Sequence, residues 1–433
     1  MSNDNQHIPS GYKPSPLGII PEEWEVKRLG EITTKIGSGI TPRGGQNVYV
    51  TNGHPFMRSQ NVSNGHLLLD DIVYIDDSTH QKQISTEIKP YDVLLNITGA
   101  SIGRCAVAEK SIVGGNVNQH VCIIRLKNKN LSYYVCSFLL SYLGQKQVDS
   151  FQAGGNREGL NYDQISSFKI CVPPLNEIDQ ITNILSLWDT AIAKQTALIE
   201  QLTLRKRGLM QQLLTGKKRL KGFEWEWKEV RLGKCGKFLS NNTLSREQLN
   251  ERSGTVQNIH YGDVLIKYPS ILDCDEVTLP FINESAYKDS MTDFVKNGDI
   301  VISDTAEDET VGKACEVQNI GTNRILAGLH TMLFRPDEGL FSPFFLGYYI
   351  NSEVYHSKLI PLIQGIKVCS IGKQAIQNTI VIIPSIDEQN AIASVLVNAD
   401  KEIEIQKQKL AAMQEQKKGL MQVLLTGKRR IKT

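Results

Sequence analysis

RKRGLMQQLLTGKKRL (205–220) returns 211 residues later as QKKGLMQVLLTGKRRI (416–431), and this echo decides how the chain is organised. The offset holds without a gap back to Pro173 and Pro384. A second echo opens each half, WEVKRLG (24–30) against WKEVRLG (227–233), at an offset of 203. Fainter ones lie between: DVLL (92–95) with DIVI (299–302), and GRCA (103–106) with GKAC (312–315). The ends of the unit have stayed in step while its middle has changed length. A unit of about 200 residues is far longer than the roughly 20–50 of a solenoid repeat, so the echoes imply two duplicated domains.

Downstream of each proline a 3,4 spacing takes over. It runs through Ile178, Ile181, Leu185, Trp188, Ile192, Gln195, Ile199, Leu202, Lys206, Leu209 and Leu213. The second copy carries Gln389, Ile392, Leu396, Ala399, Ile403, Gln406, Leu410, Met413, Lys417, Leu420 and Leu424. That is the seam of a coiled coil sustained over about five heptads. Matched interruptions, Gln195 with Gln406 and Lys206 with Lys417, predict that the two helices pair with each other. The glutamines should then lie opposite each other, and the lysines should pass aliphatic neighbours to reach water. The connector from Thr215 to Trp225 is short beside a helix about 55 Å long, so the pairing is predicted to be antiparallel.

Upstream of the prolines the chain is β-rich and broken by Gly, Asn and Pro: DVLLNIT (92–98), QHVCIIRL (119–126) and FKICVP (168–173). DIVIS (299–303), HTMLFRP (330–336) and NTIVIIP (378–384) answer them, with helices predicted at 131–148 and 342–358. The fold class expected is α+β. Globular mixed α/β domains at 1–172 and 222–383 alternate with long helices in 173–221 (with a linker) and 384–433 (with a basic tail). The helices form an antiparallel coiled coil, and the internal repeat is related by a pseudo-two-fold axis.

The 433 residues carry 48 Lys plus Arg against 46 Asp plus Glu and are 40% hydrophobic, which excludes a disordered chain. No run approaches the roughly 18 apolar residues of a membrane span, and MSNDNQH (1–7) lacks a signal-peptide core, so a cytoplasmic protein is expected. The cysteines (105, 122, 136, 171, 235, 274, 315, 369) form no C-x-x-C pair, so neither a zinc site nor a disulfide framework is spelled out. G-x-x-x-x-G-K-[ST] and N/D-P-P-Y/F are both absent, which removes an ATP phosphate cradle and the tetrapeptide of an adenine-type amino-methyltransferase. Glu25-Val-Lys27 and Glu226-Trp-Lys228 are acid-x-Lys triplets expected by chance at this charge density. No catalytic or metal-binding residue is predicted. Net charge is +1 over 1–172, +4 over 173–221, −6 over 222–383 and +3 over 384–433. The basic clusters, Arg205–Arg207, Lys217–Arg219, Lys417-Lys418 and Lys428–Arg430, read first as solvated faces suited to helix C-termini.

In this order of elements the chain resembles the specificity (S) subunit of type I restriction-modification systems, along nearly its whole length. The resemblance rests on GYKPSPLGIIPEEWEVKRLG (11–30), the duplicated W…RLG starts, AGLHTMLFRP (327–336), the helix entries PLNE (174–177) and SIDE (385–388), and the paired LLTGK segments. Of the usual entry P-P-L-x-E-Q, the second copy keeps only Ile386-Asp-Glu-Gln389. The resemblance implies two target recognition domains, each reading half of a split, asymmetric site on double-stranded DNA. It also implies two methyltransferase (modification) subunits on the helices, and restriction subunits in the full complex. Adenine methylation and cleavage, with S-adenosylmethionine, ATP and Mg, would belong to those partners, leaving this chain non-catalytic and without a cofactor. Two other classes stay open on the residues alone: a coiled-coil scaffold binding protein partners through its duplicated domains, and a single-chain methyltransferase or nuclease.

Base reading falls to polar side chains on loops, Arg or Lys suiting guanine and Asn or Gln suiting adenine. The first domain offers Thr41, Arg43, Arg58, Gln60, Asn61, Asn96, Arg104, Asn156 and Arg157. The second offers Asn258, His260, Tyr261, Thr305, Lys313, His330 and Lys367.

Overall fold

The structure, a computed structural model, describes residues 8–152 and 159–431. The chain divides into two compact units, Met1–Gln195 with Lys409–Thr433, and Thr196–Gln408.

In the first unit eight strands carry the architecture: β1 (Glu25–Arg28), β2 (Thr33–Ser38), β3 (His54–Met57), β4 (Val93–Asn96), β5 (Cys105–Val107), β6 (Asn116–Val117), β7 (Val121–Leu126) and β8 (Lys169–Val172). Val93, Leu94, Leu95 and the run Val121–Ile124 are wholly buried, because β4 and β7 sit inside an antiparallel sheet ordered β2-β7-β4-β5. β3 runs parallel to β6, and β1 pairs with β8. Helices Ser132–Leu140 and Tyr142–Gln152 supply Tyr134, Val135, Phe138 and Val148 to the core.

The second unit repeats this plan. β9 (Lys228–Arg231), β10 (Gly236–Leu239), β11 (Gln257–Ile259), β12 (Ile300–Ser303), β13 (Ala314–Gln318), β14 (Ile325–Ala327), β15 (Thr331–Pro336) and β16 (Ile380–Ile383) stand for β1 to β8. The sheet order is β10-β15-β12-β13, with strand Ile271–Asp273 added beside β13. The parallel pair β11·β14 and the antiparallel pair β9·β16 recur. A buried fork recurs too: Arg125 on β7 grips Asp92, and Arg335 on β15 grips Asp299.

Each repeat leads into a 39-residue helix, α1 (Leu175–Leu213) and α2 (Ile386–Leu424). Every seam position is buried or half-buried, while most intervening positions are exposed. In the first unit Ile178, Ile181 and Leu185 share a core with Leu424 and Leu425. In the second, Leu213 and Leu214 share one with Ile392 and Leu396. The beginning of one helix meets the end of the other in both units, so the helices run antiparallel. Gly216 and Gly427, both at φ +69°, close them in the left-handed conformation that glycine adopts without steric cost.

Two seam expectations are corrected. Lys206 does not end in water: its ammonium meets Asp400 at 2.5 Å and lies over the Tyr348 ring, and Lys417 pairs with Asp189. Gln389 is not an ordinary seam residue either. It is fully buried and anchors α2, accepting from Ser342 N at 2.9 Å and donating to the Leu340 and Pro384 carbonyls. The remaining seam residues of the pairing include Ile192, Ile199, Leu202 and Leu410, half-buried, and Ile403, buried; Gln195 is buried and Gln406 half-buried.

A latch closes each unit where its helices meet. Glu177, buried in the first turn of α1, accepts from the Trp24 indole at 3.0 Å and from Arg430 at 2.7 Å. Glu388, buried in the first turn of α2, accepts from Trp227 at 3.0 Å and from Arg219 at 2.5 and 2.7 Å. The duplicated Trp, the two helix-entry glutamates and one arginine of each terminal basic cluster thus form one repeated constellation. Arg219 and Arg430 are not the freely solvated charges that the sequence suggested.

Candidate nucleic-acid interface

Strand register gathers three loops at one end of each sheet. In the first unit Ser38 pairs with Cys122, Asn96 with Val121 and Leu95 with Cys105, so the loops 39–44, 97–104 and 118–120 emerge together. In the second unit Leu239 pairs with Leu333, Ser303 with Thr331 and Ile302 with Ala314, which brings together 240–243, 304–313 and 328–330.

The first-unit loops are held from behind. Gly39 passes so close to β6 that a Cβ would lie 1.7 Å from the Val117 carbonyl oxygen, so only glycine fits. Gln83 accepts from Ile40 N at 3.1 Å, and Gln119 accepts from Thr41 N at 3.1 Å. Thr98 bonds His120 Nδ1 at 2.6 Å, and the Gln119 amide lies 3.2 Å from His120 Nε2. Arg43 and Arg104 stand exposed, and these three loops contain no acidic residue.

The second-unit loops use different residues on the same plan. Asn242 bonds the Ala327 carbonyl through its backbone and side-chain N–H groups, and Asn241 donates to Gly328 O. Thr305 bonds His330 Nδ1 at 3.2 Å and donates to Asp304 at 2.8 Å. Tyr261 meets the His330 ring edge-on at 5.3 Å between centroids. Here the loops carry Asp304, Glu307, Asp308 and Glu309 against one base, Lys313. Burial lowers the Lys313 pKa, and its ammonium is spent on the Leu265 carbonyl at 2.6 Å.

The predicted readers divide sharply. Thr41, Arg43 and Arg104 in the first unit, and Thr305, Lys313 and His330 in the second, belong to the gathered loops, and Tyr261 packs against them. Lys367 is exposed in the turn before Cys369–Ser370, a strand that pairs with Thr305–Ala306 and so adjoins the gathered loops. Asn61, Asn96 and Asn258 are completely buried and cannot reach a groove. Asn61 donates to Leu68 O and Asp71, Asn96 to Ser59 O and Val62 O, and Asn258 to Asn242, so all three are internal braces. Arg58 and Gln60 are tied to Asp71, and the buried His260 caps helix Tyr261–Ile266 by accepting from Gly262 N. Asn156 and Arg157 lie outside the described residues.

Thr98, Gln119 and His120 were missed by sequence reasoning. Thr98 and Thr305 lie 207 apart and His120 and His330 lie 210 apart, both inside the drift from 203 to 211, so the repeat itself carried the signal. Among the described residues no cluster of His, Cys, Asp and Glu is placed to hold a metal, and no helix is long and apolar enough to cross a membrane.

The model of a family described as "Type I restriction modification DNA specificity domain" matches the chain twice, over 21–204 and 224–415. The chain is 26% identical to the provisionally named MjaX type I restriction enzyme specificity subunit of Methanocaldococcus jannaschii, covering 98% of this chain and 97% of the relative. It is 24% identical to the MjaVIII specificity subunit of the same organism, covering 95% and 94%. In fold it is similar to a chain from a structure on complex assembly and conformational transition of the type I R-M system, with TM-score 0.58, 16% identity and coverage of 95% and 99%. It is also similar to the type I restriction-modification S subunit from M. genitalium, with TM-score 0.52, 12% identity and coverage of 93% and 96%.

Proposed function

The chain belongs to the type I restriction-modification DNA specificity family, and on that footing we propose that each of its sheet-end loop clusters reads one half of a split DNA site. It is a DNA sequence-specificity subunit with two recognition domains. The observation that carries the proposal is the contrast within the repeat. Strand order, the Arg–Asp fork and the latch are kept in both units, while the loops at the sheet end differ in length, residues and charge. A shared scaffold with unlike loops suits two unlike half-sites.

On this reading the chain itself is non-catalytic and takes no cofactor. Two methyltransferase subunits supply S-adenosylmethionine chemistry on adenine, and restriction subunits with ATP and Mg supply cleavage, in the cytoplasm. Phosphate contact by Lys and Arg drives nonspecific DNA affinity, so the acidic second unit depends on partners for tight binding. The test is a methylation map of an assembled complex in which residues 24–172 are exchanged for the matching block of a relative. One half of the recognised site should change and the other stay. A swap that altered both halves, or neither, would overturn the assignment of one half-site to each domain.

A further inference from the structure

Within these loops, beside the Gly103-Arg104 and Gly312-Lys313 echo, one hydrogen-bonded pair of side chains stands in the same place in both units. Thr98 lies two residues past β4 and His120 immediately precedes β7; Thr305 lies two residues past β12 and His330 immediately precedes β15. The hydroxyl-to-Nδ1 distances are 2.6 and 3.2 Å. Thr305 gives its own proton to Asp304, so His330 Nδ1 is the donor in that bond. In the first unit the Gln119 amide faces His120 Nε2, so Nδ1 again carries the proton and donates to Thr98. Both rings are fixed at Nδ1 and turn Nε2 outward. For His330 no described residue takes up that nitrogen, and for His120 only the exposed Gln119 does.

The two halves of a split, asymmetric target differ in their bases but not in their sugar-phosphate backbone. Residues that differ between the units are free to carry sequence, whereas a residue pair common to both is matched to what both half-sites share. We infer that His120 and His330 are positioning residues that hold one backbone phosphate in each half-site through Nε2, with Thr98 and Thr305 fixing the ring. This rests on the proposed reading of DNA by these loops. A doubly protonated ring keeps its bond to threonine and offers Nε2–H as a charged donor, which suits a phosphate oxygen; at His120 the Gln119 amide, itself a donor, gives way to that oxygen. The titratable groups facing His330 are Asp304 at 3.5 Å, His260 and Tyr261, whereas His120 is flanked by the neutral Thr98 and Gln119.

The experiment uses the full chain assembled with its methyltransferase partners, carrying His120→Gln, His330→Gln or both, with Thr98→Val and Thr305→Val as milder variants that keep the rings. Affinity is measured for the cognate duplex and for duplexes with either half-site scrambled, across salt, beside a methylation map. Each His→Gln variant should weaken cognate and scrambled duplexes by the same factor and lower the salt slope by about one, as loss of a phosphate contact does. The methylation map should not change. The Thr→Val variants should move the same way by less. A changed base preference at the half-site of the altered domain would make the histidine a reader, and unchanged affinity would make it a loop brace; either result overturns the inference. If the unaltered complex fails to prefer its cognate duplex, the loop-reading function itself falls, which is a separate outcome.

Discussion

Arg125 closes on Asp92 through two parallel hydrogen bonds of 2.8 and 2.7 Å, and it spends its remaining reach on the Glu87 carbonyl at 2.8 Å. The carboxylate is 1% exposed and also accepts from Lys89 N, so the fork ties the turn before β4 to the neighbouring strand β7. Arg335 and Asp299 repeat it at 2.9 and 2.6 Å, with the Phe294 carbonyl in place of Glu87. Bidentate geometry is what makes a buried pair tolerable, and removal of one partner strands the other.

Arg125→Met should therefore destabilise the first unit by about 3–5 kcal/mol, because Asp92 is left buried and uncompensated. The double variant with Asp92→Asn should recover part of that loss. Denaturant titrations of the two variants check both statements, and a double variant no better than the single would refute the charge argument.

The latch predicts unit-specific damage. Glu388→Gln weakens charged hydrogen bonds to Trp227 and Arg219, and should cost the second unit about 1.5–3 kcal/mol. Glu177→Gln should weaken the first unit instead, through Trp24 and Arg430. Hydrogen exchange resolves which amides lose protection, and equal loss in both units from either variant would count against separate latches.

His54 gives the first unit a pH dependence. Burial lowers its pKa, but bonds to Asp77 at 2.8 Å and to the Gly114 carbonyl at 2.9 Å, with Glu87 nearby, outweigh that and the net shift is upward. Its ring also stacks on His80 at 3.7 Å between centroids. Both ring nitrogens face acceptors, so the charged form fits. A raised pKa means this stabilisation is full below the ordinary histidine value of about 6.5 and is lost as pH rises through the folded value. Stability of the first unit should decline over that window, and His54→Gln should flatten the slope in thermal unfolding.

The acidic loop of the second unit predicts an affinity gain by removal. Glu307→Gln, Asp308→Asn and Glu309→Gln together should tighten DNA binding of the assembled complex at low salt, with the gain fading as salt screens it. Titrations at two salt concentrations decide it, and unchanged affinity at low salt would place this loop away from the duplex.

The long helices and the strand core were legible because each rests on a periodic pattern written twice, and the antiparallel run because the connector from Thr215 to Trp225 is short. Glu177 and Glu388 were visible only as motif letters, since nothing local in PLNE or SIDE shows that a tryptophan some 150 residues upstream will donate to them. The same limit explains Asn61, Asn96 and Asn258. An asparagine between a strand and a loop reads alike whether its amide braces backbone carbonyls or faces solvent, and burial alone separates the two. Lys206 and Lys417 were misjudged because their partners, Asp400 and Asp189, sit on the other helix, outside the seam positions that the spacing picks out.

The two units differ in how they come off the ribosome. The second is one continuous stretch, Thr196–Gln408, and has all its residues once that stretch is made. The first begins earlier but lacks Lys409–Thr433, and with it the Arg430 end of its latch and the leucines 424 and 425 of its core. The half translated first is therefore the half completed last. Without residues 409–433 Glu177 lacks its arginine and the core of the first unit lacks Leu424 and Leu425, so a released chain truncated near residue 410 should carry a finished second unit and an open first one.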